Sequence, residues 1–515
     1  MHCLSWKRGE VAMDQKIIYL DYAATTPPAK EVIDSMMLGL NTLWGNASSE
    51  HVQGYSAHNQ IDESLQKMAE FLEVEQSCLT LTSGATESIN VALKGVMRAQ
   101  TNKKHMIAIT TEHKATLNTA QALIQEGYDV TFLSPNEQGK ITAEMFENAI
   151  TDETAIITTL WVNNETGEIY DIPAISKIAR KHKVLLHVDA TQALPHFKID
   201  LSLVDLASFT AHKIYGPKGI GVLYKRDFPK VPMISVLDGA KTELGNHVGT
   251  LANHQIMGLA TAIGLLSSHY DKEQAQNEQR LAYLMEKLSP YGVTRNGGEV
   301  QFVPAIINLH VPNVYGETLM AAVPYLCFSR GSACNSDETL PSHVLTELGY
   351  NNKHGRESVR ISLGRQLLES DFKLAVHDLA QAIDQLQKIA RAEKSELVLP
   401  SVDAQGDIDL TLLENSPFTE TQSFILQRDD VELSFKVEIE NDHVNKLSIG
   451  LQGTPYILWF MNAAAQVLRS ASIDTWQSFR MTQVCETMTV PQNELRLVMI
   501  IEKFIRDCGK AMKAR

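Results

Sequence analysis

Short apolar runs alternate with amphipathic stretches between about residue 77 and residue 225. The runs are rich in residues that favour strands, and the stretches between them repeat their apolar residues at helical spacing. This alternation predicts βαβ units around a mostly parallel sheet. The predicted strands of the sheet are residues 105–111, 154–162, 184–189, 205–210 and 219–225.

A second and smaller α/β lobe is predicted after this sheet. Residues 255–288 have a helical pattern, and strand-like runs at 303–311 and 357–363 flank a loop at 329–341 that contains glycine and serine. Helical periodicity at 371–392 completes the lobe. The fold class predicted for this part is therefore α/β, with a large sheet domain and a small lobe.

The end of the chain has a pattern of its own. The polar stretch at 392–416 is typical of a linker, and apolar and polar residues alternate at 431–439 as in a half-buried strand. A second strand ending near Leu451 and three helical stretches follow. The predicted organisation is a tail at residues 1–15, a large domain at 16–270, a small lobe at 271–392, a linker at 393–416 and a C-terminal α+β domain at 417–515.

The composition narrows the classes of function. The chain has 515 residues with 46 basic and 61 acidic side chains, and its net charge of −15 argues against a nucleic-acid or anionic-membrane surface. No apolar run approaches the roughly 20 residues of a membrane helix, and the first residues lack the apolar core of a signal peptide, so we expect a cytoplasmic protein. The six cysteines are scattered and form no C-x-x-C pair, which favours reduced thiols and no metal site.

Polar side chains follow several predicted strands at the point where each strand ends. They are His113, Asn164, Asp189, His212 and Lys213. Because open α/β sheets bind ligands at the carboxyl ends of their strands, we expect these side chains to share one pocket. The run T-L-T-S-G-A-T-E-S joins a short strand to a helix start, whose free N–H groups suit a phosphate.

Each of these features has a plainer explanation when it stands alone. A lysine after a strand is usually solvated, and glycine, serine or aspartate commonly caps a helix. A buried carboxylate at Asp189 would be costly without a partner, and the protonated ring nitrogen of pyridoxal phosphate is a suitable one. Lys213 would then be the amine that forms a Schiff base with this cofactor.

A set of motifs occurs in order over about residues 17–390. The motifs are Y-L-D-Y-A-A-T-T-P, T-S-G-A-T-E-S, T-E-H-K-A, V-N-N-E-T-G, H-V-D-A-T-Q, A-H-K-I-Y-G-P-K-G-I-G, R-G-S-A-C-N-S and V-R-I-S-L-G-R. Together they resemble the cysteine desulfurases, a family of class V aminotransferase-like enzymes. The resemblance implies the fold type I of pyridoxal-phosphate-dependent transferases and pyridoxal 5'-phosphate as cofactor.

The resemblance also implies roles for the matching residues. Lys213 would bind the cofactor covalently, and Asp189 would pair with its ring nitrogen. Gln192 would bond the ring oxygen, and His113 would stack on the ring and help move protons. The other expected cofactor contacts are Ala85, Thr86, Thr210 and His212 at the phosphate, Asn164, and Thr250 at the phosphate of a second subunit. The expected contacts of the substrate L-cysteine are Asn46, Asn164 and Arg360, the last as a fork for the carboxylate.

Cys334 determines which reaction the resemblance implies. In the family, the cysteine of the R-G-S-A-C-N-S motif attacks the sulfur of the substrate and retains it as a persulfide, while alanine leaves. The small neighbours of Cys334 leave its thiol free to move, and the loop up to Pro341 has the length of the long-loop group, which passes sulfur directly to other proteins. Cys327 lies in an apolar run and is predicted to be a packed core residue.

Two short segments depart from the family pattern. In the segment 237–250, His247 stands where the family has an arginine, and Arg330 replaces a small residue before the Cys334 loop. These changes bear on the dimer interface and on the fit of the substrate rather than on the cofactor chemistry.

The C-terminal domain is a larger departure. It faintly resembles the scaffold proteins on which iron–sulfur clusters are assembled, and these bind clusters through three cysteines. Arg428, Thr454 and Leu497 occupy the three places here, and none of them ligates iron as a thiolate does. We therefore expect a scaffold-like domain without a cluster, with Cys485 and Cys508 as structural thiols.

The sequence thus predicts a homodimeric cysteine desulfurase that passes sulfur to an acceptor protein such as a cluster scaffold or a sulfur carrier. Two alternatives stay open at this point. A selenocysteine lyase or an aminotransferase shares the lysine and the aspartate but has less need of the cysteine loop. A degenerate regulatory partner in sulfur transfer would explain the altered segment 237–250 and the C-terminal domain without ligands.

Overall fold

The computed structural model describes residues 16–239, 244–330, 342–391, 421–428, 431–440, 443–452, 460, 464, 468, 471–481 and 495–513. Its strands are β1 (Ile18–Tyr19), β2 (Leu79–Thr82), β3 (His105–Ile109), β4 (Asp129–Leu133), β5 (Thr154–Leu160), β6 (Leu185–Asp189), β7 (Leu206–Thr210), β8 (Gly221–Lys225), β9 (Thr294–Arg295), β10 (Ile306–His310), β11 (Leu326–Cys327), β12 (Ser358–Ser362), β13 (Thr421–Arg428), β14 (Val431–Glu440) and β15 (His443–Gln452). Its helices are α1 (Lys30–Thr42), α2 (Val52–Leu72), α3 (Ala85–Ala99), α4 (Lys114–Gln125), α5 (Ala143–Ala149), α6 (Ile172–Lys181), α7 (Asn253–Leu265), α8 (Tyr270–Leu288), α9 (Gly316–Ala322), α10 (His343–Glu347), α11 (Asn352–Arg356), α12 (Glu369–Arg391), α13 (Ile473–Ser478) and α14 (Leu495–Lys513).

The large domain is built on a seven-stranded sheet with the strand order β2-β8-β7-β6-β5-β3-β4. Strands β4, β3, β5, β6 and β7 run parallel, whereas β8 is antiparallel to both of its neighbours. The five strands predicted for this sheet are confirmed as β3, β5, β6, β7 and β8. The predicted mostly parallel α/β fold is therefore present.

Both faces of the sheet are buried, which explains why its strands are continuous apolar runs. Successive side chains of a strand point to opposite faces. In β5, Ile156 packs in a cluster with Leu93 and Val96 of α3, whereas Ile157 packs in the larger cluster on the other face. Side chains thus pack against both faces of the strands that carry the polar residues at their ends.

The small lobe contains the antiparallel sheet β12-β10-β9 with α8 and α12. The predicted strands at 303–311 and 357–363 are confirmed as β10 and β12. The single helical stretch predicted at 255–288 is two helices, because the chain turns at 266–269, where adjacent serines break a good helical pattern. The start of the chain joins this lobe, since β1 pairs in parallel with β11.

The C-terminal domain contains the antiparallel sheet β13-β14-β15. The predicted strands are confirmed as β14 and β15, but β13 was missed because its apolar residues form a central cluster without strict alternation. Helix α14 packs on α13 at Gly509, where a Cβ would lie 2.7 Å from the backbone nitrogen of Gln477. The same helix contacts α9 of the small lobe.

Several predicted segments lie outside the described residues: the tail at 1–15, the Cys334 loop after Arg330, and the linker at 393–416. In the parts of the chain that the structure describes, every helix is too short or too polar to cross a lipid bilayer.

Candidate active site

A cavity of about 420 Å³ lies at the carboxyl ends of the central strands. Its wall brings together residues that are far apart in the sequence and that were predicted to share a site. They are Ala85, Thr86, His113, Asn164, Asp189, Gln192, Thr210, His212, Lys213 and Arg360. The convergence predicted from polar residues at strand ends is therefore present.

Three predicted site residues do not line this cavity within the described chain. Asn46 is exposed, and its side-chain oxygen accepts a hydrogen bond from the Ser48 N–H at 3.0 Å. Thr250 is also exposed. Cys334 lies outside the described residues.

The start of α3 forms one end of the cavity. Gly84 precedes this helix with φ of 153°, a backbone conformation that L side chains rarely adopt, and it provides no side-chain cap for the first N–H groups. Ala85 and Thr86, the first residues of the helix, line the cavity. The positive end of the helix dipole therefore lies at this part of the wall. The Glu87 carboxylate accepts a hydrogen bond from the Ser83 N–H at 2.7 Å.

His212 and Thr210, the two other predicted phosphate contacts, line the same cavity. Burial, and then the charges of Lys213 and Lys218, lower the pKa of His212 to about 4, so its ring is neutral at pH 7. Its Nδ1 lies 3.1 Å from the Thr25 hydroxyl. The Thr210 hydroxyl donates to the Ile220 carbonyl at 3.0 Å, so it must rotate before it donates to a phosphate.

Lys213 lies in the turn after β7, with its Nζ aimed at the chain start. Nζ donates to the carbonyl oxygens of Ala23 and Ala24, both at 2.6 Å. The Gln192 amide also donates to the Ala23 carbonyl, at 2.8 Å. The A-A-T-T segment after β1 therefore fixes both side chains in the cavity, a role that the sequence did not reveal.

Asp189 ends β6 and is only 5% exposed. One of its carboxylate oxygens accepts a hydrogen bond from the Thr191 N–H at 2.9 Å. A carboxylate in such a place loses its hydration and needs compensation by nearby donors or by a cation.

His113 begins α4, and its Nδ1 accepts a hydrogen bond from the Ala115 N–H at 3.1 Å. That bond leaves the ring proton on Nε2 in the neutral form. Burial, together with the positive charges of Lys213 and His343, lowers the pKa of His113, and the charge of Asp189 opposes this shift. The ring is therefore neutral at pH 7, so its Nε2–H donates hydrogen bonds but is not an acid. Acceptance of a proton at Nδ1 would require the bond to Ala115 to break.

The residues that flank the Cys334 loop are bonded to Arg360, which lines the cavity, and to neighbours of the lining residues Asn164 and His113. Before the loop, Ser329 forms a backbone bridge with Arg360, with N···O distances of 3.2 and 2.6 Å. After the loop, the Ser342 hydroxyl donates to the buried carboxylate of Glu165. Next to it, the His343 ring lies 3.0 Å from the backbone oxygen of Glu112. The described residues on either side of the loop are therefore bonded to Arg360 and to residues next to the cavity lining.

Glu112 and Glu165 are site residues that the sequence analysis missed, although both lie inside its motifs. Each is fully buried. Burial, and then the charge of Asp189, raise the pKa of Glu112 well above its usual value. The signal that could have found them is the glutamate in each of the T-E-H and N-N-E-T runs, at strand ends where a charged residue is otherwise costly.

Comparison with known proteins identifies the family. The pattern of the aminotransferase class-V family matches residues 18–374. The chain is also 37% identical over 378 residues to the protein named cysteine desulfurase IscS of Neisseria meningitidis serogroup C, strain 053442, which covers 72% of this chain and 94% of that relative. The chain belongs to the cysteine desulfurases of the class V aminotransferase family.

Solved structures of this family have the same fold. A structure titled NIFS-like protein matches with a TM-score of 0.67 at 28% identity, over 72% of this chain and 99% of that one. A structure titled SspA in complex with cysteine matches with a TM-score of 0.61 at 34% identity, over 67% of this chain and 98% of that one. The large domain and small lobe of this desulfurase therefore have the fold of type I pyridoxal-phosphate-dependent transferases.

Cysteine desulfurases use pyridoxal phosphate, and the residues in the cavity fit this group. The uncapped start of α3 suits a phosphate, the buried Asp189 suits a protonated ring nitrogen, and Lys213 lines the same cavity. No group of histidine, cysteine or acidic residues that could hold a metal ion occurs within the described ranges. The donor set of this desulfurase thus matches the organic cofactor of its family.

Proposed function

We propose that this chain converts L-cysteine to L-alanine and retains the sulfur as a persulfide on Cys334. The observation that carries this proposal is the cavity in which Lys213, Asp189 and His113 meet Arg360. Ser329 before the Cys334 loop is bonded to this Arg360, and Ser342 after it is bonded to Glu165, the neighbour of the lining residue Asn164. A lysine and an aspartate alone fit many enzymes of this fold type. The anchored cysteine loop is the feature that favours desulfuration.

Each cavity residue has a task that follows from its chemistry. Bound pyridoxal phosphate supplies an electron sink for charge that develops at the Cα of the amino acid. Arg360 binds the α-carboxylate through its guanidinium, and Lys213 attaches the cofactor and holds a proton at Nζ. Asp189 keeps the ring nitrogen protonated. The neutral His113 donates a hydrogen bond from Nε2, and it accepts a proton at Nδ1 once the bond to the Ala115 N–H breaks.

Sulfur passes from the substrate cysteine to the thiol of Cys334, and the step needs no electrons from outside. The Cys334 thiolate attacks the sulfur of cysteine, a new S–S bond forms, and the C–S bond breaks with its electron pair on the carbon skeleton. That carbon takes up a proton and leaves as alanine. The transferred sulfur is oxidised and the carbon is reduced, so no external oxidant is required.

The products distinguish the proposed function from its alternatives. With L-cysteine and dithiothreitol we expect alanine and sulfide in equal amounts, because each turnover releases one of each. An aminotransferase would instead require an oxo-acid and would convert it to an amino acid. A strong preference for selenocysteine would indicate a lyase, and a degenerate regulatory partner would form no product. Amino-acid analysis and a colorimetric sulfide assay measure these outcomes.

The active unit is proposed to be a cytoplasmic homodimer. Helices α1 and α2 and the segment between them expose large apolar side chains, an unusual concentration on a monomer surface. These side chains are Ile33, Met37, Leu38, Leu40, Trp44, Val52 and Tyr55. A second copy of the chain would cover this surface and bring Thr250 to the phosphate of the partner. Transfer of sulfur to a scaffold or carrier protein is the proposed next step.

The C-terminal domain is proposed to bind protein and no iron–sulfur cluster. Burial, and then the charge of Asp507, raise the pKa of the Cys508 thiol well above its usual value, so Cys508 is a poor cluster ligand. Arg428 lies in β13 and Leu497 in α14, whereas Thr454 and Cys485 lie outside the described residues.

Deletion of residues 415–515 is expected to leave alanine formation from free cysteine within about twofold, because the described residues that line the cavity all precede this domain. The same deletion should change complex formation with acceptor proteins, measured by size-exclusion chromatography with light scattering. Anaerobic reconstitution with iron and sulfide provides the control. A stable cluster on the full chain that is lost in Cys508→Ser would contradict the proposal.

A further inference from the structure

Arg360 is the residue predicted to bind the substrate carboxylate. Two oxygen atoms of the protein itself accept hydrogen bonds from its guanidinium. Its Nη2 donates to Oδ1 of Asp21 at 2.8 Å, and its Nη1 donates to the Asn164 carbonyl at 2.8 Å. The side chain is 2% exposed, and its Nε is buried without a hydrogen-bond partner. Nη1 and Nη2 each carry a second N–H beyond these two bonds, so the guanidinium still has donors for a ligand in the cavity that it lines.

Asp21 is fixed more firmly than a surface carboxylate. Its backbone bridges to Ser362 of β12, and its carbonyl oxygen accepts the Tyr19 hydroxyl at 3.0 Å. Arg360 lines the cavity, whereas Asp21 does not. The Asp21 carboxylate thus contacts the guanidinium without being one of the residues that line the cavity, and its side chain is 18% exposed.

We propose that Asp21 is a positioning residue that orients Arg360 and limits the strength with which this arginine binds the α-carboxylate. The inference rests on the proposed function, because it takes an α-amino acid as the ligand. A fixed negative charge beside the guanidinium opposes a second carboxylate. Cysteine and alanine carry the same carboxylate, so a stronger clamp would bind substrate and product alike and slow the release of alanine.

The variant Asp21→Asn separates charge from orientation. The amide oxygen of asparagine still accepts from Nη2, but the negative charge is lost. We expect the Kd of L-alanine, measured by isothermal titration calorimetry with the cofactor-loaded protein, to fall on the order of tenfold. The KM for L-cysteine should fall as well, without an increase in kcat. Asp21→Glu, which keeps the charge, should not tighten the binding of alanine.

Two controls exclude a general effect on folding or on the cavity. L-alaninamide lacks the carboxylate, so its affinity should be the same in the original protein and in Asp21→Asn. Asp205→Asn removes a comparable ion pair, between Asp205 and Arg226 at 2.7 Å, away from the cavity, and should leave alanine binding unchanged. If Asp21→Asn does not fold by circular dichroism, Asp21→Ser replaces it as an uncharged oxygen acceptor.

The outcomes separate this inference from the proposed function. Alanine binding that is unchanged or weaker in Asp21→Asn, or an equal gain for alaninamide, overturns the role of Asp21. Tighter alanine binding in a protein that forms no alanine from cysteine supports the role of Asp21 and contradicts desulfuration. Normal desulfuration together with unchanged alanine affinity supports the proposed function and contradicts the role of Asp21.

Discussion

Replacement of Lys213 with alanine is expected to abolish covalent attachment of the cofactor and to lower alanine formation from cysteine on the order of a thousandfold or more. The Lys213 amine is held by the Ala23 and Ala24 carbonyls, in the cavity that the start of α3 and the buried Asp189 also line. A substituted alanine has no nucleophile there. Borohydride reduction followed by peptide mapping should locate the cofactor on Lys213 in the original protein and on no residue in the variant.

Lys218 provides the matched control because it is the other lysine that lines the cavity. Lys218→Ala should keep the cofactor on Lys213. Attachment to Lys218 in the Lys213→Ala protein, or an unmodified Lys213 peptide in the original protein, would overturn the assignment of the lysine.

Replacement of Cys334 with serine is expected to stop release of alanine and sulfide to below about one per cent of the original rate, because a serine hydroxyl is not ionised at neutral pH and does not attack sulfur. Binding of L-cysteine should persist, since the cavity and Arg360 are unchanged. Mass spectrometry after a single exposure to cysteine should find a persulfide on the Cys334 peptide of the original protein and none in the variant.

Cys327 is the appropriate control because it lies in β11, close to the start of the same loop. Burial, and then the charge of Asp21, raise the pKa of the Cys327 thiol, so little thiolate is present at neutral pH. Cys327→Ser should therefore retain activity. Persulfide on Cys327, or full turnover by Cys334→Ser, would show that the loop cysteine is not the sulfur acceptor.

Much of the fold could be predicted from the sequence because its signals are local. A parallel sheet buried on both faces requires continuous apolar strands, so β3, β5, β6, β7 and β8 stand out as runs between amphipathic helices. Lys213, Asp189 and His113 stand out for a related reason, since polar residues directly after such strands must face the carboxyl edge of the sheet. Their convergence in one cavity follows from the topology of parallel strands.

What the tertiary structure alone decided lies in contacts between segments that are distant in sequence. Asp21 and Arg360 are 339 positions apart, and Ser342 and Glu165 are 177 apart, yet each pair forms a hydrogen bond. The tautomer of His113 depends on the backbone of α4, and the raised pKa of Glu112 depends on its complete burial. Residue type and spacing reveal which chemistry is available. The strength of a charge and the position of a proton depend on desolvation and on hydrogen-bond partners, which only the folded chain brings together.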